Sequence, residues 1–416
     1  MKTISFIILL MMGSIIHAQD YYITFTGSGE TATVDSIYVE NLTQGTRLTL
    51  QGSDTLHLVY SLNVDAVNSN GSSFLLYPNP GESIFYVEFC NMYKSQVQFI
   101  ISDISGKLFY SEIKELIPGL YNYEISGIPA GSYILSIKTN NNNYHSKIVS
   151  LNGNSMAVSV IQKSGTNTAS VKTETKSTKQ IFKMQYNDGE RLLFKGYSQG
   201  RYARVLTLIP DASQNVEFYF IDCTDADSNH YAVVTIGGQT WMAENLRTTL
   251  FTNGEMIPNI TNEVQWWNMT SSAYCWFNND SNNYFSQYGA LYNWYTIDSS
   301  NICPFGWHVP TLSEFYVLLD YLGGDSIAGM KLKETGTSHW YSEAYSNNES
   351  GFSALPGASR ELSGWFTTIG SLCKFWSATN FSLNNPKGVY IMFYDQFALE
   401  CGGQRTYGYS VRCIKD

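Results

Sequence analysis

The pattern with the clearest catalytic potential is Gly196-Tyr197-Ser198-Gln199-Gly200, which matches the G-x-S-x-G nucleophile motif of hydrolases. In that motif the serine lies on a strained turn between a strand of a parallel sheet and a helix. Here residues 201–210 alternate and end in proline, which predicts a strand instead of a helix. A hairpin turn also explains the two glycines. We therefore expect no enzyme, and a serine hydrolase that uses Ser198 is the alternative.

Metal-binding spacing is present but incomplete. Asp225, Asp227 and Asn229 have the first, third and fifth positions of a calcium loop, yet the sixth position is His230 and the twelfth is Ile236. Such a loop needs Gly and Glu at those two positions. The six histidines are scattered, and no C-x-x-C pair occurs. We predict no metal and no other cofactor, although a calcium site of looser geometry remains open.

The seven cysteines indicate a disulfide in the last part of the chain. Cys303 precedes a predicted helix and Cys413 lies near the last residue, so a bond between them would close a loop of about 100 residues, which contributes about 4–5 kcal/mol. We predict that this pair is structural, in preference to a catalytic or metal-binding role. Cys373–Cys401 is a second predicted pair. Cys90 lies in an alternating, strand-like segment, which predicts a buried free thiol.

All nine tryptophans follow residue 240. Tryptophan faces stack well on sugar rings and other flat apolar groups, although most tryptophans serve core packing. Trp340 and Trp365 lie in stretches rich in Ser, Asn and Gly, which predicts exposed loops. We predict an exposed ligand-binding set made of Trp340, Tyr341, Arg360 and Trp365.

One helix is expected to position these loops, and both its start and its end are marked in the sequence. Thr311 and Glu314 form a predicted capping box, and Gly323-Gly324 ends the helix. Leu312, Phe315, Leu319 and Leu322 share its apolar face. Two further short helices are predicted at residues 326–334 and in the ALYNWY stretch, residues 290–295. The remaining sequence predicts short strands separated by Gly, Asn and Ser turns.

The first residues of the chain and its composition indicate export. Lys2 and an apolar run up to Ile16, followed by Ala18, predict a signal peptide that is cleaved near Ala18. No later segment is apolar enough to predict a transmembrane helix. Charged residues make up only 14% of the chain and the formal net charge is −10, so a nucleic-acid partner is not expected. The predicted location is secreted or on the outer cell surface.

A set of motifs at residues 223–416 carries a family resemblance: VVTIGGQTWMAENLRTT, YGALYNWY, CPFGWHVPTLSEF, GFSALPGASRE, FWSAT and SVRC. This region resembles the Fibrobacter succinogenes major paralogous domain family, a group similar to C-type lectins. The resemblance implies an α+β fold with a long irregular loop region that carries ligands. It also implies core positions for the four tryptophans within these motifs: Trp241, Trp294, Trp307 and Trp376.

A second resemblance covers residues 75–151, through YPNP, ISDISGKLFY and IPAGSYILSIKT. This region resembles a type IX secretion sorting domain, which implies an antiparallel β-sandwich. Such a domain normally ends a protein, whereas here about 265 residues follow it. We therefore interpret it as a structural sandwich within this chain.

The predicted fold class is multidomain, with N-terminal all-β sandwich modules followed by an α+β C-type-lectin-like domain. The predicted boundaries are 1–18 for the signal peptide, 19–70 for a small β lead-in, 71–153 for the sandwich, 154–181 for a linker, 182–222 for a small β-module and 223–416 for the last domain. The predicted function is a surface-associated binding or adhesion protein with a glycan or protein ligand. A purely structural envelope component is a further alternative.

Overall fold

A computed structural model describes residues 20–60, 74–77, 79, 81, 84–91, 95–116, 119–138, 143–151, 158–165, 180–299, 301–382 and 385–416. The predicted signal peptide, the Cys90 side chain and most of the predicted linker lie outside these described residues. The chain divides into two compact units, one made of residues 1–64 and 178–416 and the other of residues 65–177. Most of the described regular structure is β-strand, arranged in several sheets, with few helices.

The first unit begins with a β-sandwich that is built from two distant stretches of chain. Its strands are β1 (Tyr21–Gly29), β2 (Ser36–Asn41), β3 (Arg47–Gln51) and β4 (Thr55–Tyr60), followed after the second unit by β13 (Ile181–Tyr186), β14 (Leu192–Ser198), β15 (Tyr202–Leu208) and β16 (Gln214–Phe220). One sheet has the order β13-β4-β1-β16, and in the other β15-β14-β2-β3 lie side by side. Alternating residues such as Ile23, Val39, Phe194 and Phe218 point into one shared core.

The predicted lead-in (19–70) and β-module (182–222) are therefore not separate modules. β1 pairs in parallel with β16, and β4 pairs in parallel with β13. Each stretch supplies strands with one apolar face. These faces are buried only when the two stretches pack together as one sandwich. The sheet also continues past the predicted boundary at residue 223, because β15 pairs in parallel with β17 (Ala232–Ile236).

The second unit is a sandwich of two four-stranded sheets. Its strands are β5 (Phe74–Tyr77), β6 (Ile84–Asn91), β7 (Ser95–Asp103), β8 (Leu108–Leu116), β9 (Gly119–Ser126), β10 (Gly131–Lys138), β11 (Asn143–Ser150) and β12 (Ser159–Gly165). The sheet orders are β11-β10-β7-β8 and β12-β9-β6-β5. Phe99 and Tyr123 meet across the core with their ring centroids 4.7 Å apart. The sandwich prediction is confirmed, but β12 extends it into the predicted linker because it pairs with β9.

The rest of the first unit, from residue 221 onward, combines short strands and helices. Its strands are β17, β18 (Gln239–Met242), β19 (Tyr274–Cys275), β20 (Leu291–Asn293), β21 (Trp307–His308), β22 (Leu372–Asn380), β23 (Pro386–Met392), β24 (Ala398–Gly402), β25 (Gly408–Tyr409) and β26 (Ile414–Lys415). Its helices are α1 (Glu263–Trp267), α2 (Ser281–Tyr288), α3 (Trp294–Asp298), α4 (Leu312–Tyr321) and α5 (Asp325–Leu332). Among the described residues, no helix has the length and apolar character needed to cross a membrane.

Helix α4 confirms the capping prediction. The Thr311 hydroxyl accepts from the Glu314 amide at 3.3 Å, and the Glu314 carboxylate accepts from the Thr311 amide at 2.7 Å. Gly323 and Gly324 follow with positive φ angles. The other two helix predictions are partly right: α5 begins one residue earlier than predicted, and the ALYNWY stretch divides into β20 and the start of α3.

The disulfide between Cys303 and Cys413 is present, with 5.9 Å between the two Cα atoms. It lies in a core that also contains Trp294, Trp307 and Trp376, while Trp241 lies in a neighbouring core. The core positions predicted for these four tryptophans are confirmed.

The predicted Cys373–Cys401 disulfide is wrong, since both cysteines are free. β23 lies between the two strands that carry them. Cys373 is opposite Ile391 of β23, whereas Cys401 is opposite Gly388. The two cysteines are therefore offset by three residues along β23. This offset separates them by about 10 Å along the strand direction and places their side chains on opposite faces of the sheet. A disulfide needs Cα atoms within about 7 Å.

Candidate functional site

Ser198 does not have the surroundings of a hydrolase nucleophile. It ends β14, which pairs with β15 in an antiparallel hairpin, and no helix follows. Gln199 and Gly200 have φ angles of 55° and 63°, which is the conformation of a hairpin turn. The Ser198 side chain is fully buried, and its hydroxyl has no hydrogen-bond partner among the described residues. The hydroxyl is therefore closed to solvent, and no base among the described residues is hydrogen-bonded to it.

The residues with calcium-loop spacing form a hydrogen-bonded loop instead. Asp225 accepts from the backbone amide of Asn229 at 2.8 Å and from the Asn229 side chain at 2.8 Å. Asp227 accepts from the Thr249 hydroxyl at 3.2 Å. These carboxylates therefore join neighbouring loop segments. Within the part of the chain that the structure describes, no group of three or more His, Cys, Asp or Glu side chains could hold a metal ion.

The free cysteines are in states that do not favour nucleophilic chemistry. Burial raises the pKa of Cys275, Cys373 and Cys401 to about 12, and it raises the pKa of Cys223 well above its usual value. Because the thiolate is the reactive form, these groups remain thiols at neutral pH.

The four predicted ligand-binding residues divide into two exposed and two buried side chains. Trp365 and Tyr341 are 68% and 58% exposed. Trp340 and Arg360 are 1% and 0% exposed, so the prediction that they contact ligand directly is wrong. Trp340 turns inward because its indole nitrogen donates to the Ala354 carbonyl at 3.0 Å and its ring packs in the core.

Arg360 is a buried clamp that ties its own hairpin to the segment that precedes α1. Its guanidinium donates to the carbonyl oxygens of Gly364 at 2.9 Å, Ile260 at 2.6 Å and Thr261 at 3.0 Å. The same group lies 4.4 Å from the centre of the Trp266 ring. Each of its three nitrogens donates to a backbone carbonyl and the side chain is fully buried, so Arg360 positions backbone and does not contact a ligand.

Trp365 lies on the hairpin that this clamp closes. Arg360 and Phe366 form an antiparallel bridge, and the amide of Glu361 donates to the Trp365 carbonyl at 2.7 Å. Gly364 has a φ angle of 85° and packs so closely on α1 that an added Cβ would lie 2.8 Å from the Glu263 Cα atom. The hairpin backbone is thus fixed on both sides while the Trp365 side chain remains in solvent.

Helix α1 presents further apolar surface beside this hairpin. Trp266 is fully buried, and its indole nitrogen donates to the Thr406 carbonyl at 2.6 Å. Val264 and Trp267 are 65% and 55% exposed. Trp267 lies four residues after Glu263, hence on the helix face against which Gly364 packs. Sequence reasoning missed Val264 and Trp267, although two consecutive tryptophans in a helix cannot both face the same core.

A tight turn at residues 277–279 completes the site. Asn278 and Asn279 have φ angles of 51° and 57°, a conformation that asparagine adopts more readily than most residues. The Asn279 side chain donates to the Thr261 carbonyl at 3.1 Å, and the Phe277 ring lies 5.5 Å from the Phe366 ring. These contacts bring the exposed Asn278 next to α1 and the hairpin. The exposed side chains Val264, Trp267, Asn278 and Trp365 are hereafter called the Trp365 surface.

Tyr341 contacts a different set of residues from Trp365. Its amide donates to the Gly370 carbonyl at 3.0 Å, and its ring lies 5.8 Å from the Phe393 ring. Among the described side chains, no ring contact joins Tyr341 to Trp365. The structure therefore keeps only Trp365 of the predicted set at the candidate site.

Comparison with known families identifies two regions. Residues 234–415 match the model of the Fibrobacter succinogenes major domain, and residues 75–152 match the model of the secretion system C-terminal sorting domain. Together these matches indicate an exported protein with a surface or outer location. No curated protein and no solved structure matches the chain.

Proposed function

Because the chain carries a Fibrobacter succinogenes major domain at residues 234–415, we propose that this domain is the non-catalytic ligand-binding part of an exported protein. The Trp365 surface is the proposed binding site, and the ligand is a glycan or a protein outside the cell. The observation that carries the proposal is a largely exposed indole on a hairpin whose backbone is clamped by a fully buried arginine.

The rigidity of the hairpin supports binding. An exposed tryptophan gives no stability to the fold by its solvent-facing area, whereas a preorganised aromatic side chain binds a partner at low entropic cost. Val264 and Trp267 enlarge the apolar area beside it. Large exposed aromatic groups that are grouped in this way are typical of interaction sites.

The organisation of the loops supports a C-type-lectin-like arrangement, in which a long irregular loop region carries the ligand-binding residues. No helix or strand occurs between Leu332, the last residue of α5, and Leu372, the first of β22. This long irregular stretch carries the Trp365 hairpin. The proposed binding uses no metal or other cofactor.

A binding comparison of single variants of the full chain tests the proposal. We expect Trp365→Ala to weaken ligand binding about ten- to thirty-fold, as for an aromatic residue at the centre of an interface. Phe305→Ala is the matched control, because Phe305 is a fully exposed aromatic residue in another turn. A panel of polysaccharides and cell-surface proteins provides the ligands.

Each outcome of that comparison is informative. Equal binding by Trp365→Ala and the unmodified chain would remove the Trp365 surface as the site. The absence of any ligand in the panel would favour the purely structural alternative. Ester hydrolysis that disappears in Ser198→Ala would instead support the hydrolase alternative.

A further inference from the structure

We propose that the ligand of the Trp365 surface is an uncharged polysaccharide, which stacks on Trp365 and Trp267 and exchanges hydrogen bonds with the side chain of Asn278. This inference rests on the proposed function and specifies its ligand class.

The charges around the surface exclude an anionic ligand. The three segments that form the site, residues 260–269, 276–280 and 360–366, contain four charged residues: Glu263, Asp280, Arg360 and Glu361. Arg360 is the one cation, and its guanidinium is fully buried and bonded to carbonyl groups. Lys374 lies next to these segments but pairs with Glu361 at 3.0 Å. A sulfated or carboxylated polymer would meet exposed Glu263 without a compensating cation.

The available polar groups match sugar hydroxyls. Asn278 is exposed, and its side-chain amide has no hydrogen-bond partner among the described residues. Neighbouring amides are already in use: Asn262 caps α1, Asn268 donates to the Val264 carbonyl at 2.8 Å, and Asn279 donates to Thr261. An amide both donates and accepts, as a hydroxyl does, so the Asn278 side chain can bind one or two hydroxyl groups.

The combination is selective for sugars over apolar partners. Indole faces provide stacking area for the apolar faces of pyranose rings, and the free Asn278 amide binds hydroxyl groups. A purely hydrophobic partner would desolvate this amide without replacing its hydrogen bonds to water, which costs about 1–3 kcal/mol. A neutral polysaccharide satisfies both requirements.

The test uses polymers that share a backbone and differ in charge. The full chain is run by affinity electrophoresis in gels that contain hydroxyethylcellulose or carboxymethylcellulose, and dextran or dextran sulfate. We expect at least one neutral polymer to retard the chain, and its anionic counterpart to retard it at least ten-fold less. Trp365→Ala should weaken the retention about ten-fold or more.

The amide contribution is tested with an isosteric substitution. Asn278→Asp keeps the size of the side chain and tolerates the positive φ angle, but it removes the donor and adds a charge. We expect it to weaken binding to the neutral polymer about three- to ten-fold, in line with the loss of one hydrogen bond. Asn253→Asp, an exposed turn residue outside the three segments, should leave binding unchanged.

The outcomes separate this inference from the proposed function. Retention only by the anionic polymers, or only by a protein ligand, with loss in Trp365→Ala, would overturn the sugar assignment and keep the binding site. Retention by a neutral polymer that persists in Trp365→Ala would overturn the site itself. If none of the neutral polymers retards the chain, the inference is wrong.

Discussion

Arg360 and Trp365 are five residues apart and have opposite roles. Arg360 is fully buried and donates hydrogen bonds to three backbone carbonyls, whereas the Trp365 indole is exposed to solvent. A second buried arginine, Arg412, acts in the same way, because it donates to the carbonyl of Ser353 at 2.9 Å and to that of Phe352. Buried guanidinium groups thus hold the irregular loops in place where no sheet or helix does so.

At this scale we predict that Arg360→Met lowers the free energy of unfolding by about 2–3 kcal/mol, because it leaves three backbone acceptors without their donor. Arg201→Met is the matched control: Arg201 pairs with Asp222 on the surface, and such pairs contribute about 1 kcal/mol or less. Urea denaturation of both variants measures the difference. Equal losses would show that Arg360 is not a clamp.

Sequence reasoning identified the chemical types of these residues but not their exposure. Trp340 and Trp365 lie in similar Ser- and Gly-rich surroundings, yet one is buried and the other is exposed. Local composition indicates that a segment is a loop. The exposure of a side chain in that loop depends instead on which other parts of the chain pack over it. For Trp340, that cover is the core formed with Phe352 and Ala354.

At the scale of elements, predictions succeeded where the determining contacts are local. Helix α4 was predicted with its cap because Thr311, Glu314 and the two glycines lie within one short stretch. Helix α1 was missed because five residues contain no apolar period to detect. Its position depends instead on long-range contacts with Arg360, Gly364 and Thr406.

The disulfide is the covalent connection between distant elements, since it ties the segment before β21 to the segment before β26. We predict that the Cys303→Ala/Cys413→Ala variant loses about 4–5 kcal/mol of unfolding free energy, as expected for a loop of 110 residues. Reductant should destabilise the unmodified chain by a similar amount.

The Cys373→Ala/Cys401→Ala variant is the control for this prediction, because both of these thiols are free. It should remain as sensitive to reductant as the unmodified chain, whereas Cys303→Ala/Cys413→Ala should be insensitive. Insensitivity of the unmodified chain to reductant would contradict a stabilising disulfide.

At the scale of the whole molecule, the sorting-type domain is inserted in the chain between two neighbouring strands of another sandwich. β4 and β13 are parallel neighbours, and parallel strands need a crossover connection. Residues 65–177 supply that connection and form their own core. Conversely, Leu193 and Val205 of the sandwich contribute to the core of the C-terminal region, so that region is not complete from residue 223.

We therefore predict that residues 65–177 can be replaced by a flexible linker while the first unit still folds. The pairing register places the end of β4 about 17 Å from the start of β13 along the strand direction. A Gly/Ser linker of about 12 residues has an average span of about 19 Å. Thermal unfolding of this variant should be cooperative, with a melting temperature near that of the intact first unit.

The comparison for this prediction is a fragment that starts at residue 223. It lacks the pairing of β15 with β17 and the Lys195–Glu244 ion pair of 2.8 Å, so it should be less stable than the linker variant. A fragment that unfolds at the same temperature as the linker variant would contradict the continuity of the sheet.

The amino-acid sequence by itself determined the features that depend on neighbouring residues: the capped helix, the alternating strands, the β-rich second unit and the two family matches. It also indicated the Cys303–Cys413 pair, because a bond between these two cysteines closes the second half of the last domain. Only the tertiary structure decided that two distant β-segments share one sandwich, that Arg360 is a clamp and that Trp365 and Trp267 are both exposed. The physical reason is that burial and pairing are set by contacts between residues far apart in the chain, and local patterns carry no information about those partners.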